Sequence, residues 1–439
     1  MFKRLQLLLL VILVSSATLF AGGFQINESG ARAMAMAGAF TGLANDASAI
    51  YFNPAGITQL KGTHISVGTS IILPNSKFTG FKESSPIIPP SAEYEMESQV
   101  FTPINFYITQ QLTEDLFMGL GVYNPYGLGT KWADTWPGRY AALDTEVRTF
   151  FFNPVIAYKV SDALSISAGF VYAYGDVKII KNLFLADPVT HAPKADAQTV
   201  LEGDGTAMGW TAGFLFKPTE NSSIGLDIRS GTEFEFEGTA VTTPATLDFT
   251  HPLAGPMSLP LPSGDIAATL NTPLNVTLGF ALKGEETTWV ADIQWVGWSS
   301  YDTLAVDFAT YVSPTDGSTR TAAPREYNNT YIFRLGMETV MSDNFMLRGG
   351  ILYDVNPVSD KYVEPTLPDS DRLGLNIGFG YKLTDNISID VAYMYLIFME
   401  REITNSSLGA GYPAPYDVNL NGTYNSYSHL LGVNFSYQL

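Results

Sequence analysis

Along most of the chain, apolar residues alternate with polar or small ones at a repeat of two. The C-terminus shows this clearly: Leu431, Val433, Phe435, Tyr437 and Leu439 share one phase, while Gly432, Asn434, Ser436 and Gln438 hold the other. Leu274, Val276, Leu278, Phe280 and Leu282 alternate with Asn275, Thr277, Gly279, Ala281 and Lys283. The stretches Tyr331 to Glu338 and Leu373 to Lys382 repeat the pattern. A helix with about 3.6 residues per turn does not sort side chains this way, whereas a strand does. An apolar set facing lipid and a polar set facing a lumen is the signature of a transmembrane barrel strand.

Fourteen such segments are expected, near 63–73, 100–111, 116–126, 147–160, 164–178, 205–217, 222–236, 269–283, 287–299, 327–340, 345–356, 371–382, 387–400 and 424–439. Short connections such as Thr113-Glu114-Asp115, Ser161-Asp162 and Thr384-Asp385-Asn386 alternate with long ones at 74–99, 127–146, 179–204, 237–268, 300–326, 357–370 and 401–423. Short periplasmic turns, long extracellular loops and an even strand number are what an outer-membrane barrel requires. The expected fold is all-β, an antiparallel transmembrane β-barrel over residues 61–439.

Residues 22–60 break the pattern. Asn27 to Gly38 is rich in small residues and Met, and Ala47 to Phe52 reads as a short helix capped by Asn45 or Asp46 and stopped by Pro54. Two readings compete: a mobile periplasmic leader, or a small helical hatch inside the lumen. The hatch is favoured because the side chains of so many strands cannot fill the interior, and an unplugged barrel would leak.

Composition sharpens the compartment. Only 15% of the 439 residues are charged while 46% are hydrophobic and 13% aromatic, a balance unusual for a soluble protein. Met1-Phe2-Lys3-Arg4, the apolar run from Leu5 to Val14 and the small residues ending at Ala21 read as a secretory signal over 1–21. No later run reaches the roughly 18 apolar residues of a membrane helix. A secreted, aromatic-rich chain without such a helix points to the bacterial outer membrane, with lipid, lipopolysaccharide and the outer-membrane assembly machinery as its surroundings. A net charge of −19 gives no reason to expect nucleic acid as a partner.

Chemistry is sparse. The absence of cysteine removes disulfides, thiolate nucleophiles and thiolate metal sites. His64, His191, His251 and His429 stand far apart with no metal-ligand spacing, and no G-x-S-x-G occurs. No catalytic residue, metal or cofactor is expected.

Gly23-Phe24-Gln25-Ile26-Asn27-Glu28, Ala44-Asn45-Asp46-Ala47-Ser48 and Asn53-Pro54-Ala55-Gly56 resemble the hatch of the FadL/TodX family of outer-membrane hydrophobic-compound transporters. Tyr123-Asn124-Pro125-Tyr126-Gly127-Leu128 is similar to that family's third strand and its kink. Trp136-Pro137-Gly138-Arg139-Tyr140, Asn153-Pro154 and the closing Gly432 to Tyr437 resemble further stretches of it. Leu439 departs from the Phe or Trp at which such barrels often end.

The resemblance implies a monomer that takes up long-chain fatty acids or aromatic hydrocarbons by passive, hatch-gated diffusion, releasing them sideways through the barrel wall. It places a hatch gate at Asn53, Pro54 and Ala55, a kink at Asn124, Pro125, Tyr126 and Gly127, and a lumen pocket at Phe24 and Ile26. Physical chemistry favours the sideways route. At about 0.8 kcal/mol per methylene, a sixteen-carbon chain loses roughly 12 kcal/mol on moving from a dry pocket into water, and almost none on moving into lipid. Pro125 supplies a break in the strand ladder because it has no N–H to donate.

Phase assigns Arg148, Arg229, Arg334, Arg348, Asp227, Asp292, Glu338 and Asp390 to the lumen. Arg148, beside the kink, is the first choice for an acyl carboxylate and joins the expected lumen pocket. Leu128, Trp132, Trp136 and Tyr140 are expected to form an extracellular capture patch. A general porin and a surface adhesin remain as alternatives; the first predicts high ion conductance and the second a function carried by the loops.

Overall fold

The computed structural model describes residues 22–80, 91–314, 316–407 and 420–439. The expected signal at 1–21 lies outside the described residues, as do parts of the expected loops at 74–99, 300–326 and 401–423.

Fourteen antiparallel strands close into a barrel. They are β1 (Thr63–Gly80), β2 (Ile104–Gln111), β3 (Leu116–Tyr123, resuming at Gly127–Lys131), β4 (Asp144–Lys159), β5 (Leu164–Leu183), β6 (Ala197–Thr219) and β7 (Ser222–Arg229, resuming at Glu233–Thr243). They continue with β8 (Gly264–Asn271 and Asn275–Lys283), β9 (Thr287–Val296 and Thr303–Phe308), β10 (Arg320–Pro324 and Thr330–Ser342), β11 (Phe345–Asp354), β12 (Arg372–Lys382), β13 (Ile387–Phe398 and Arg401–Ile403) and β14 (Gly422–Gln438). β1 pairs with β14 from His64↔Gln438 to Gly80↔Gly422, which joins the ends of the sheet.

The alternation read from the sequence fixes which face looks out. Leu431, Phe435 and Tyr437 are exposed on β14, as are Leu278, Phe280 and Leu282 on β8 and Leu375, Ile377 and Phe379 on β12. Gly432 and Asn434 on β14, and Asn376 on β12, are buried toward the interior. Several strands run beyond the expected ends: β1 reaches Gly80 and β6 begins at Ala197. The expected loop at 237–268 carries a hairpin of Thr246–His251 with Gly255–Pro260.

Residues 22–60 lie against the inward faces of the strands, with two short helices, α1 (Ala31–Ala35) and α2 (Ala49–Phe52), and a 3-10 turn at Pro54–Gln59. The helix expected from Ala47 is shorter, and Ser48 stands at its N-cap. Asp46 acts one step earlier, accepting from the Ser48 N–H at 2.8 Å and from its hydroxyl at 2.6 Å. Pro54 ends α2 as expected and opens the 3-10 turn, where its missing N–H costs nothing.

Six strands are interrupted, and the interruptions differ in kind. At the breaks in β7 and β8, Thr232 N–H donates to Thr272 Oγ1 at 2.9 Å and Thr272 N–H returns to the Thr232 carbonyl at 2.8 Å. The break in β3 at Asn124 to Tyr126 is held on the β4 side, where the Thr149 hydroxyl donates to the Tyr126 carbonyl at 2.6 Å. Toward β2 it is open. Ladder pairing of β2 with β3 stops at Asn105↔Tyr123. Beyond it, Ile104 N–H donates to Asn124 Oδ1 at 2.7 Å, and the next backbone bond across the seam among the described residues is Glu97 N–H to the Lys131 carbonyl, also 2.7 Å.

Candidate functional site

The seam between β2 and β3 is the outer mouth of a cavity of about 500 Å3. Its walls come from residues 23–28, β1, the stretch 100–104, the β3 break and β4. The chain forms it for a local reason: Pro125 cannot donate to a ladder, and the backbone around it is satisfied from inside. Ile26 N–H donates to the Pro125 carbonyl at 2.8 Å, and Gly127 N–H donates to the Phe24 carbonyl at 2.9 Å. Glycine is needed at position 129, where a Cβ would lie 1.9 Å from Phe101 Cζ; at Gly127 it would meet only the end of the Ile26 side chain, at 2.7 Å. The Phe101 ring thus spans the seam and rests on the β3 backbone.

Phe24, Leu128, Val147 and Leu367 line both this cavity and a second one of about 110 Å3 deeper in the barrel. Phe24 packs against Tyr126, Trp298 and Tyr301 at ring separations of 5.8, 5.0 and 5.6 Å. Ile179, Leu201, Leu304 and Val306 line both the second cavity and a third of about 330 Å3, which also meets Tyr140 and Lys181. The three cavities form a largely apolar track from beneath the loop at 132–143 to the seam in the wall.

Two cations lie on the track's outer part. Arg325 is paired with Glu364. Lys181 lines the third cavity on the inward phase of β5 with Ile179 and Leu183, and no ion pair or hydrogen bond engages it among the described residues.

The expected site residues fall into three groups. Phe24, Ile26, Asn124, Tyr126, Gly127 and Leu128 meet at the first cavity, with Pro125 on its rim. Asn53, Pro54 and Ala55 lie elsewhere, buried against the wall: Asn53 Nδ2 donates to the carbonyls of Thr41 and Phe214 at 3.0 Å each, and Asn53 Oδ1 accepts from Ala55 N–H at 3.2 Å. Arg148 requires a correction. The correction concerns its phase: Arg148 does line the first cavity with Phe24 and Ile26, but Thr149, Phe151 and Asn153 are the buried phase of β4, so it reaches the cavity from the outer rim, 60% of its side chain exposed and bonded to Asp176 at 2.7 Å. The run Phe150-Phe151-Phe152 has no alternation to reveal the phase, and a slip of one residue reverses every side chain. The capture patch also needs correction. Trp132 and Trp136 are buried and stacked at 4.4 Å, and their indole N–H groups donate to the carbonyls of Pro365 and Ala142. They knit the outer loops together and present no open surface; Leu128 and Tyr140 instead line the internal track.

The other charges expected in the lumen do face inward, and Arg229, Asp292 and Glu338 among them grip residues 22–60. Asp292 accepts from the backbone N–H groups of Phe40 and Thr41 at 3.1 and 3.0 Å. Arg229 donates to the Tyr51 carbonyl with its guanidinium 4.1 Å from the Tyr51 ring centre. A chain of charges runs Asp46–Arg32–Glu338–Arg348–Asp390. The nearby carboxylates Glu338 and Asp46 hold the Arg32 guanidinium well above its ordinary pKa against the opposing effect of burial.

The whole chain carries a family signature. A sequence model described as "Outer membrane protein transport protein (OMPP1/FadL/TodX)" matches residues 11–439. The chain belongs to this family. It is therefore an outer-membrane β-barrel among transport channels, not enzymes. It is 25% identical to the long-chain fatty acid transport protein of Salmonella typhi over 458 residues, covering 100% of this chain and 98% of that one. Outer membrane protein P1 of Haemophilus influenzae is 23% identical, covering 98% of each. Among solved structures, a Pseudomonas aeruginosa FadL homologue superposes with a TM-score of 0.77 at 20% identity, covering 96% of this chain and 99% of that one. The Pseudomonas putida toluene transporter TodX gives 0.67 at 17% identity, covering 93% and 98%. These family members share the fold; both fatty acid and aromatic hydrocarbon channels are among them.

Proposed function

We propose that this member takes up long-chain fatty acids by passive diffusion, from the third cavity through the second to the first, and releases them sideways between β2 and β3. Residues 22–60 act as the hatch that closes the lumen below. The observation that carries the reading is the seam: an apolar cavity meets the barrel wall where the ladder is open and one ring, Phe101, covers it. A chain leaving there stays among apolar groups throughout, whereas a route through water forfeits most of its burial energy.

Replacing Phe101 by Ala removes that cover, and whole-cell uptake of labelled oleate is expected to rise; a Trp at the same position is expected to lower it. The host would lack its own transporter of this class. Unchanged uptake in both variants would remove the seam from the pathway.

Lys181 distinguishes a fatty acid from a hydrocarbon. An ammonium that none of the described residues pairs, in a largely apolar lining, offers a charge-assisted hydrogen bond to an acyl carboxylate and nothing to toluene. Lys181→Met is expected to lower oleate uptake severalfold while leaving labelled toluene uptake as it was. Equal loss of both would assign Lys181 to barrel structure, and toluene uptake without oleate uptake in the wild type would move the substrate to aromatic hydrocarbons.

A further inference from the structure

We propose that Glu28 is the proton donor that neutralises an acyl carboxylate before the chain leaves through the wall. The inference rests on the sideways route. A hydrocarbon tail crosses the seam easily, but an ionised headgroup entering lipid is strongly opposed, and the neutral acid is far less so. A channel with this exit benefits from a protonated group where the headgroup arrives.

Glu28 stands at that place. Glu28 lines the first cavity together with Ile26, Ile104, Asn124 and Tyr126, the residues that bound the seam. Its backbone is pinned there, since the Ser70 hydroxyl on β1 donates to the Glu28 carbonyl at 3.0 Å. The carboxylate accepts from the Asn27 N–H at 3.0 Å, and no ion pair reaches it among the described residues. The neighbouring charges are accounted for. Arg334 of β10 and Arg372 of β12 act on it from a distance and favour the ionised form. Arg372 is committed to Asp369 and Asp354 and to the Gly23 carbonyl. From β4, Glu146 and Arg148 reach the outer rim of the same cavity, with Arg148 held by Asp176; the phenols of Tyr126 and Tyr427 complete the titratable lining. Burial outweighs the backbone N–H groups of Glu28 and Asn27 and the two arginines, and pushes the Glu28 carboxyl above its usual range, which favours its protonated form.

The balance is simple. The O–H bond of the Glu28 carboxyl breaks as an O–H bond forms on the acyl carboxylate, giving a neutral fatty acid and an ionised Glu28. The neutral acid leaves, and Glu28 regains its proton from hydronium in the surrounding water.

The test compares labelled oleate with labelled oleyl alcohol, which has the same tail and no carboxylate, in whole cells from acidic to mildly alkaline pH. In the wild type, oleate uptake is expected to fall as pH rises, while alcohol uptake stays level. Glu28→Gln keeps the shape but cannot deliver the proton, so most oleate uptake should be lost, its pH dependence flattened and alcohol uptake unchanged. Glu28→Asp should restore part of the oleate uptake. If Glu28→Gln leaves oleate uptake and its pH profile unaltered, or lowers acid and alcohol alike, the proposal is overturned. Wild-type uptake of the alcohol without oleate also overturns it, whereas uptake of neither removes the transport reading beneath it.

Discussion

Oxidising a cysteine pair placed at Ala31 and Gly432 is expected to stop uptake, and reducing it to restore uptake. A Cβ on Gly432 of β14 lies 3.4 Å from the Ala31 Cβ of α1, close to the roughly 3.5–4.5 Å at which disulfides form. The chain has no cysteine of its own, so the engineered bond is the only one that can form. Met34 Sδ lies 2.9 Å from the same point and must swing aside, which an unbranched thioether does readily. If residues 22–60 gate the lumen by moving, tying α1 to the wall holds the gate shut. The measurement is oleate uptake by cells carrying the oxidised and then the reduced protein, with cross-linking followed by thiol labelling. Full uptake through a fully oxidised protein would exclude movement of α1 as a requirement and leave the gating to the stretches before and after it.

Arg348→Leu is expected to be the most destabilising single change within the barrel. The side chain is 1% exposed and bonds Glu338 and Asp390 at 2.6 Å each. Removing it leaves both carboxylates buried, with Arg32 remaining on Glu338 and nothing in the chain of charges remaining on Asp390. Breaking a buried pair in this way costs about 3–5 kcal/mol, much of it the penalty of the abandoned charge. Thermal unfolding in detergent, followed by circular dichroism or by the heat-dependent shift of gel mobility, should show a marked fall. Adding Asp390→Asn to Arg348→Leu should recover part of it, because the orphaned charge is then gone. An unchanged melting temperature in the single variant would show that this chain of charges does not brace the barrel.

The barrel was legible because lipid and lumen impose opposite demands on neighbouring residues, so β8, β12 and β14 announce their faces. That rule fails where three aromatic residues follow one another, and Arg148 was misplaced for that reason. The breaks in β7 and β8 were less visible, since the side chains that repair them, Thr232 and Thr272, look like ordinary strand residues. Lys181 carried a signal that went unused: it shares a phase with Val177, Ile179 and Leu183, and a cation on that face has to look into the barrel. Trp132 and Trp136 read as surface aromatics from their loop position, yet their burial depends on Pro365 and its neighbours, more than 200 residues away. Contacts of that range leave no mark on local pattern. Glu28 lies within a recognisable segment, but its surroundings come from β1 and the β3 break, which only the closed barrel brings together.

Asn434 carries a consequence for how the molecule is made. On β14, its Oδ1 accepts from the Ala31 N–H at 2.9 Å and its Nδ2 donates to Asn105 Oδ1 at 2.6 Å and Ser66 Oγ at 3.2 Å. One side chain therefore touches α1, β1 and β2, all made at the opposite end of synthesis. The full set of bonds on Asn434 is made only with α1 seated against β14. On the proposed reading of residues 22–60 as a hatch, the strand that seals the wall against β1 therefore also holds the stopper.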